Sequence, residues 1–177
     1  MTRLFKECIE DVLSHEGGFN DVKHDKGGAT NWGISLRFLK GIEEDIDGDG
    51  LITYLDIKKM TRSQAIEIYY DNFWKQLYER FPDKLAMKVF DVSVNAGSSR
   101  AHILLQRALN KIGAKLTVDG LIGNATLTEI AKYTDQAIVN AYCEVQLEFY
   151  KGLVLKDASQ AKFLAGWTNR AKYLRKL

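Results

Sequence analysis

Proline is nearly absent: Pro82 is the only one in 177 residues, where an average usage of about 5% would give roughly nine. A chain with so few helix breakers can run long helices, so a mostly helical protein is expected. Histidine and cysteine are scarce as well. His15, His24 and His102 form no HExxH or HxxxH pair, which argues against a zinc peptidase or amidase. Cys8 and Cys143 lie far apart without CxxC spacing and read as two buried thiols, a long-range disulfide being the alternative. Charge of one sign is lacking too. With 25 basic and 23 acidic residues the formal net charge is +2, so no field of the kind that attracts nucleic acid follows from the total. No long apolar run occurs, and the opening MTRLFKECIEDVLSHEGGF carries charges every few positions. It is expected to be neither signal peptide nor membrane anchor, leaving the protein in the cytoplasm until something else releases it.

What is present is the profile of a soluble globular chain, 46% hydrophobic and 27% charged, long enough for one domain or two small lobes sharing a core. Leu4, Phe5, Cys8, Ile9, Val12 and Leu13 recur at helical spacing, predicting an amphipathic helix over roughly residues 2–15 that Gly17 and Gly18 end. Residues 19–34 are rich in glycine and read as an irregular loop or small β-hairpin. A short helix from Ser35 to about Glu44 follows, then an acidic run. Thr61 with Gln64 makes a capping box for a helix carrying Ile66, Tyr69, Tyr70, Phe73 and Trp74. After Pro82, helices are expected near 83–96 and 99–112, from Asn124, and from Thr134. A last one places Phe163, Leu164, Trp167, Ala171 and Leu174 on one stripe. The division drawn from these signals is an N-terminal lobe, 1–88, and a helical lobe, 89–177.

Glu16 carries the most chemistry. It lies four residues after Val12 and three after Leu13, and so extends the apolar stripe of the first helix. A carboxyl there is partly desolvated, which keeps it protonated near neutral pH, as a general acid for glycosidic cleavage must be. Asp25 and Thr30 follow in the pattern Glu-x8-Asp-x4-Thr across the glycine-rich loop. Acid, carboxylate and hydroxyl can then converge, with Asp25 and Thr30 holding water opposite Glu16 in an inverting scheme; a retaining scheme, with closer carboxyls, stays open. Asp91 and Asn95, one helical turn apart, present a carboxylate and an amide to one side and are candidate sugar contacts. Trp32, Tyr69, Tyr70 and Trp74 could offer stacking faces, with one or two expected to line a groove and the rest to be core.

The segment from Asp45 to Asp56 reads DIDGDGLITYLD. Oxygen donors fall at positions 1, 3 and 5 of a twelve-residue loop, glycine at 6, an aliphatic at 8, and Asp56 stands where glutamate is usual in EF-hands. Calcium is expected on Asp45, Asp47, Asp49, the Leu51 carbonyl and Asp56, in a structural role and not for catalysis. The aspartate at position 12 is similar to that in dockerin calcium loops, and magnesium is the rival ion. The last 22 residues hold six basic side chains against Asp157. Such a stripe either packs with a solvated back or touches anionic envelope surfaces.

The spacing of Glu16, Asp25 and Thr30 resembles that of phage-type lysozymes, with one residue fewer before the threonine. HEGGFNDVKHDKGGATNWGIS is similar to the signature of glycoside hydrolase family 108, with Phe19 where tyrosine is common and His24 where proline or asparagine often precedes the aspartate. TRSQAIEIYYDNFW resembles that family's helix ending in an aromatic pair. DVSVNAGSSRAHILLQRALN followed by TVDGLIGNATLTEI resembles its peptidoglycan-binding lobe. This resemblance covers nearly the whole chain. It implies a mainly α, lysozyme-like N-acetylmuramidase of the kind phages use as endolysins, cutting the β-1,4 bond after N-acetylmuramic acid, with Glu16 at the catalytic glutamate. Peptidoglycan is the implied partner, reached in the periplasm, and a monomer is expected. The competing readings are a non-catalytic peptidoglycan-binding protein and a calcium-dependent interaction module.

Overall fold

The computed structural model describes residues 1–15, 19 and 29–176. It divides into two compact units, Met1–Trp74 and Lys75–Leu177, so the division drawn from sequence at 88/89 falls within a helix of the second unit.

The first unit is built on α1 (Arg3–His15), whose Leu4, Phe5, Cys8, Ile9, Val12 and Leu13 are all buried, as the periodicity predicts. It packs on α4 (Arg62–Asn72), whose N-terminus is closed by the Thr61–Gln64 capping box. Phe5 sits edge-on to Tyr70 at 4.9 Å and to Trp74 at 5.4 Å between ring centroids. Full burial of a phenylalanine contributes about 1.5–3 kcal/mol, far more than the exposed Arg62–Glu10 pair that joins the same helices. Between them run β1 (Thr30–Asn31) and β2 (Ile34–Ser35), antiparallel with Thr30 opposite Ser35. Next come α2 (Leu36–Ile42), capped by the Ser35 side chain, and α3 (Tyr54–Lys59), capped by Thr53 with Asp56. The expected small hairpin is thus present at the end of the glycine-rich region, and mainly α is the class of the fold.

The second unit opens with a 3-10 turn, Gln76–Arg80, then α5 (Asp83–Ala96), α6 (Ser98–Lys111), α7 (Asn124–Ile130), α8 (Asp135–Lys156) and α9 (Leu164–Lys172). Its core is the packing of α5, α6 and α8, where Leu85, Val89, Phe90, Leu104, Leu105, Ile138 and Tyr142 are inaccessible to solvent. Pro82 starts α5 without a side-chain cap of its own. The carboxylate of Asp135, the first residue of α8, accepts from the Lys84 and Leu85 N–H groups at 3.2 and 3.0 Å instead, satisfying donors a helix start leaves open.

The C-terminal stripe departs from expectation. Residues Ala158–Phe163 and Tyr173–Lys176 wind as 3-10 helix around α9. Their tighter turn breaks the 3.6-residue register, so Ala171 and Leu174 are buried while Phe163 is 46% exposed. Cys8 and Cys143 are buried and form no disulfide with one another. No helix among the described residues is long and apolar enough to cross a membrane.

Candidate functional site

Glu16 and Asp25 lie outside the described residues; Thr30 is half-buried on β1. The hairpin that carries it turns through Trp32 and Gly33, with φ of 52° and 79°. Positive φ at both central residues is the two-residue turn that matches strand twist. Glycine adopts it freely, whereas a bulky side chain there is an outlier at a cost on the order of 1–3 kcal/mol. The Trp32 carbonyl is held by the Tyr69 hydroxyl, which donates to it over 3.0 Å. Trp32 is half-buried with Thr30 on the same hairpin, so one ring and one hydroxyl of the expected set share an element.

The other aromatics divide. Tyr70 is half-buried. Trp74, read from sequence as a stacking face, is 5% exposed with its ring against Phe5. This corrects that expectation: helical spacing shows that α4 presents an aromatic face, but the bulk of α1 decides which ring the core takes.

The acidic insert forms a tight loop ahead of α3. One carboxylate oxygen from each of Asp45, Asp47 and Asp49 lies within 4.8 Å of the others. Gly48 and Gly50 have φ of 74° and 86°, and both donate N–H bonds to the Asp45 carboxylate at 2.8 Å. Asp56 is wholly buried and accepts from the Ile46 N–H at 2.9 Å and the Thr53 N–H at 2.6 Å. Burial pushes the Asp56 carboxyl up, but the N–H donors of Thr53 and Ile46 outweigh it and leave its pKa below the ordinary value. The structure thus brings three of the five expected metal ligands together and gives Asp56 to the closure of the loop, where each oxygen keeps a second lone pair. The Lys59 ammonium sits 2.7 Å from Asp47, and the hydrogen bond and charge of that carboxylate raise the lysine pKa.

Helix α3 links this loop to the Thr30 hairpin and to Phe19. Buried Asn31, next to Thr30, donates to the carbonyls of Ile57 and Met60 at 2.9 and 3.2 Å. Phe19, three residues after Glu16, lies edge-on to Tyr54 at 5.7 Å. Sequence reasoning missed α3 and Asn31; the Thr53-x-x-Asp56 capping pattern was the available signal.

In the second unit, Asp91 is paired with Arg170 at 2.9 Å, each side chain 17% exposed, so its carboxylate is engaged in holding α5 to α9. Asn95 is exposed, and its Oδ1 accepts from the Tyr150 hydroxyl at 3.0 Å, which turns its amide N–H groups away from Tyr150. The TVDGLIG connector is pinned by buried Gln106, whose Nε2 donates to Asp119 and the Leu121 carbonyl while its Oε1 accepts from the Asp119 and Gly120 N–H groups. Gly120 has φ of 78°, which favours glycine, and a Cβ there would sit tightly against the Ser99 carbonyl oxygen at 3.3 Å.

Among the described residues the chain is mainly helical with one short antiparallel hairpin, consistent with the lysozyme-like class. The model of glycosyl hydrolase 108 matches residues 9–97, and that of a domain described as "Predicted Peptidoglycan domain" matches residues 100–172. The chain belongs to glycosyl hydrolase family 108 and is a peptidoglycan hydrolase. It is similar to a solved structure described as that of Brucella abortus SagA, with 30% identity, coverage of 97% of this chain and 91% of that one, and a TM-score of 0.77. No curated protein matches the chain.

Proposed function

We propose that the chain is an N-acetylmuramidase that hydrolyses the β-1,4 bond between N-acetylmuramic acid and N-acetylglucosamine. Glu16 protonates the glycosidic oxygen, while Asp25 with Thr30 positions the attacking water. The observation that carries this reading is the glycosyl hydrolase match over residues 9–97, a span that holds all three. Trp32 and Tyr70 supply sugar contacts within the first unit, and Asp91 and Asn95 are candidate contacts of the second unit taken by itself. Digestion of purified peptidoglycan tests it: muramic acid at the new reducing ends supports the reading, and glucosamine there overturns it. The setting that fits is wall lysis by a phage endolysin, a monomer acting on the periplasmic wall once released. Cells expressing the chain should then lyse only after their inner membrane is permeabilised.

Calcium on Asp45, Asp47, Asp49, the Leu51 carbonyl and Asp56 would serve this enzyme structurally. The support is mechanical as well as chemical: an ion that fixes the loop fixes α3, whose carbonyls are held by Asn31 beside Thr30 and whose Tyr54 touches Phe19. Catalysis itself needs no ion, since Glu16, Asp25 and water balance the reaction.

A further inference from the structure

An open groove of about 670 Å³ runs along α6 and α8 in the second unit, a volume in the range of ligand sites. From α6 it is lined by Arg100, Arg107 and Lys111, spaced seven and four residues apart and so on one helix face. From α8 come Phe149, Leu153 and Lys156. Lys111 is already paired with Glu148 at 2.8 Å and Glu144 at 3.3 Å. Among the described residues Arg100, Arg107 and Lys156 have no carboxylate partner, so the groove keeps an unbalanced positive charge. The Arg100 guanidinium lies 5.0 Å over the centroid of the Phe149 ring, which orients it. Gly152 sits in the α8 interior, where glycine costs about 0.5–1 kcal/mol relative to alanine. A Cβ there would meet nothing within 4 Å, so the missing side chain keeps the groove open.

We propose that this groove binds the anionic stem peptide of peptidoglycan. Every lining residue falls within the 100–172 span matched by the peptidoglycan domain. In that polymer the sugars are neutral where the lactyl group is amide-linked, and the negative charge resides on the peptide's carboxylates. Guanidinium groups recognise such carboxylates through paired hydrogen bonds, and the apolar stretch of Phe149 and Leu153 suits the methyl groups of alanine. The assignment rests on peptidoglycan being the substrate, but not on where the glycan is cut.

Titration of the full chain with a fluorescent N-acetylmuramoyl tripeptide, beside peptide-free glycan chains and phosphatidylglycerol vesicles, tests it. Binding of the tripeptide should weaken with salt and fall about tenfold or more in a variant carrying Arg100→Ala and Arg107→Ala. Gly152→Leu should block the groove while leaving the thermal midpoint unchanged or higher, because leucine is the better helix former. Lys132→Ala, in the turn after α7 and outside the groove, should bind as the original does. Groove-dependent binding of peptide-free glycan equal to that of the tripeptide, unchanged tripeptide affinity in both groove variants, or groove-dependent binding of vesicles in place of peptide would each overturn the assignment. Groove-dependent tripeptide binding by a chain that releases no reducing ends would uphold it and sink the hydrolase reading alone.

Discussion

The Tyr69 hydroxyl donates to the carbonyl of Trp32 over 3.0 Å, tying the turn of the hairpin to the last turn of α4. It satisfies the carbonyl of a residue whose φ of 52° is unfavourable for a bulky side chain, so the bond and the strain belong together. Tyr69→Phe keeps the ring and removes the donor. We expect it to cost about 0.5–1.5 kcal/mol in urea unfolding and to raise KM on glycan chains more than it lowers kcat. An unchanged stability would show that the turn holds without Tyr69.

Lys88 is 1% exposed, and its ammonium donates to the carbonyls of Arg170 at 3.2 Å and Ala171 at 2.9 Å. Burial lowers its pKa, against the pull of Cys143 and Asp91. The last turn of α9 thus receives donors and positive charge where a helix end needs both. Lys88→Met keeps the stem but leaves two buried acceptors, and should destabilise the chain by about 1–3 kcal/mol for each left unpaired. A thermal midpoint within error of the original would show that these carbonyls find other donors.

His102 is buried between the Tyr78 hydroxyl at 2.9 Å and the Gly120 carbonyl at 3.1 Å. A neutral ring fits both: Nδ1–H donates to Gly120, and Nε2 accepts from Tyr78, whose own pKa burial raises to about 12. Burial also lowers the His102 pKa below 6.5, with the Gly120 carbonyl pulling the other way. The unfolded chain therefore takes up this proton first as pH falls. The stability it confers is complete above pH 6.5 and is lost as pH drops from there towards the folded value. Melting curves of the original and His102→Gln should converge as pH falls below 6.5; parallel curves would exclude His102 as the titrating group.

Local signals were the legible ones. The Thr61–Gln64 box, Pro82 ahead of α5 and the apolar stripe of α1 each depend on residues within a turn or two, and each element begins or packs as they indicate. What the sequence hides is set by partners far along the chain. Asp135 caps α5 from about fifty residues away, and nothing in the PDKLAM stretch betrays it. Lys88 reads as a solvated charge until the end of α9 is seen to cover it. In the candidate site, the spacing of Glu16, Asp25 and Thr30 and the resemblance they carry were readable, whereas the left-handed backbone of Trp32 was not, because such turns usually announce themselves with asparagine or glycine. The groove had a weak signal in Arg100, Arg107 and Lys111 at helical spacing, masked by the near-neutral total charge.

The insert offers a prediction in which two carboxylates of the same loop behave differently. Calcium bound only to the folded chain should stabilise it by about 2.7 kcal/mol at one hundred times its dissociation constant. Asp45→Ala with Asp47→Ala should abolish that gain. Asp56→Asn should destabilise even without calcium, by about 1–3 kcal/mol, because an amide offers one acceptor where the Ile46 and Thr53 N–H groups require two. The lowered Asp56 pKa gives the sign with pH: its contribution is present above 3.8 and is lost as pH falls through the folded value. A midpoint unmoved by excess calcium in the original chain would remove the ion from the account and leave Asp56 as a purely structural cap.

The proposed role of Glu16 as the acid gives a prediction about the chemistry itself. A sugar oxygen is a poor leaving group without a proton, and general acid catalysis contributes on the order of 100- to 10,000-fold. Glu16→Gln preserves shape and most hydrogen bonds of the neutral acid but has no proton to transfer, so turnover should fall by at least that order while binding to intact walls persists. Asp25→Asn should also slow hydrolysis, since it weakens the hold on water. If the two act as an inverting pair, the first sugar product should carry the opposite anomeric configuration to the bond cut, and retention would reassign Asp25 or replace it. A folded Glu16→Gln protein that clears walls as fast as the original would remove Glu16 as the acid. Wall binding together with lost turnover is the combination that a binding module without chemistry cannot produce, because such a module has no turnover to lose.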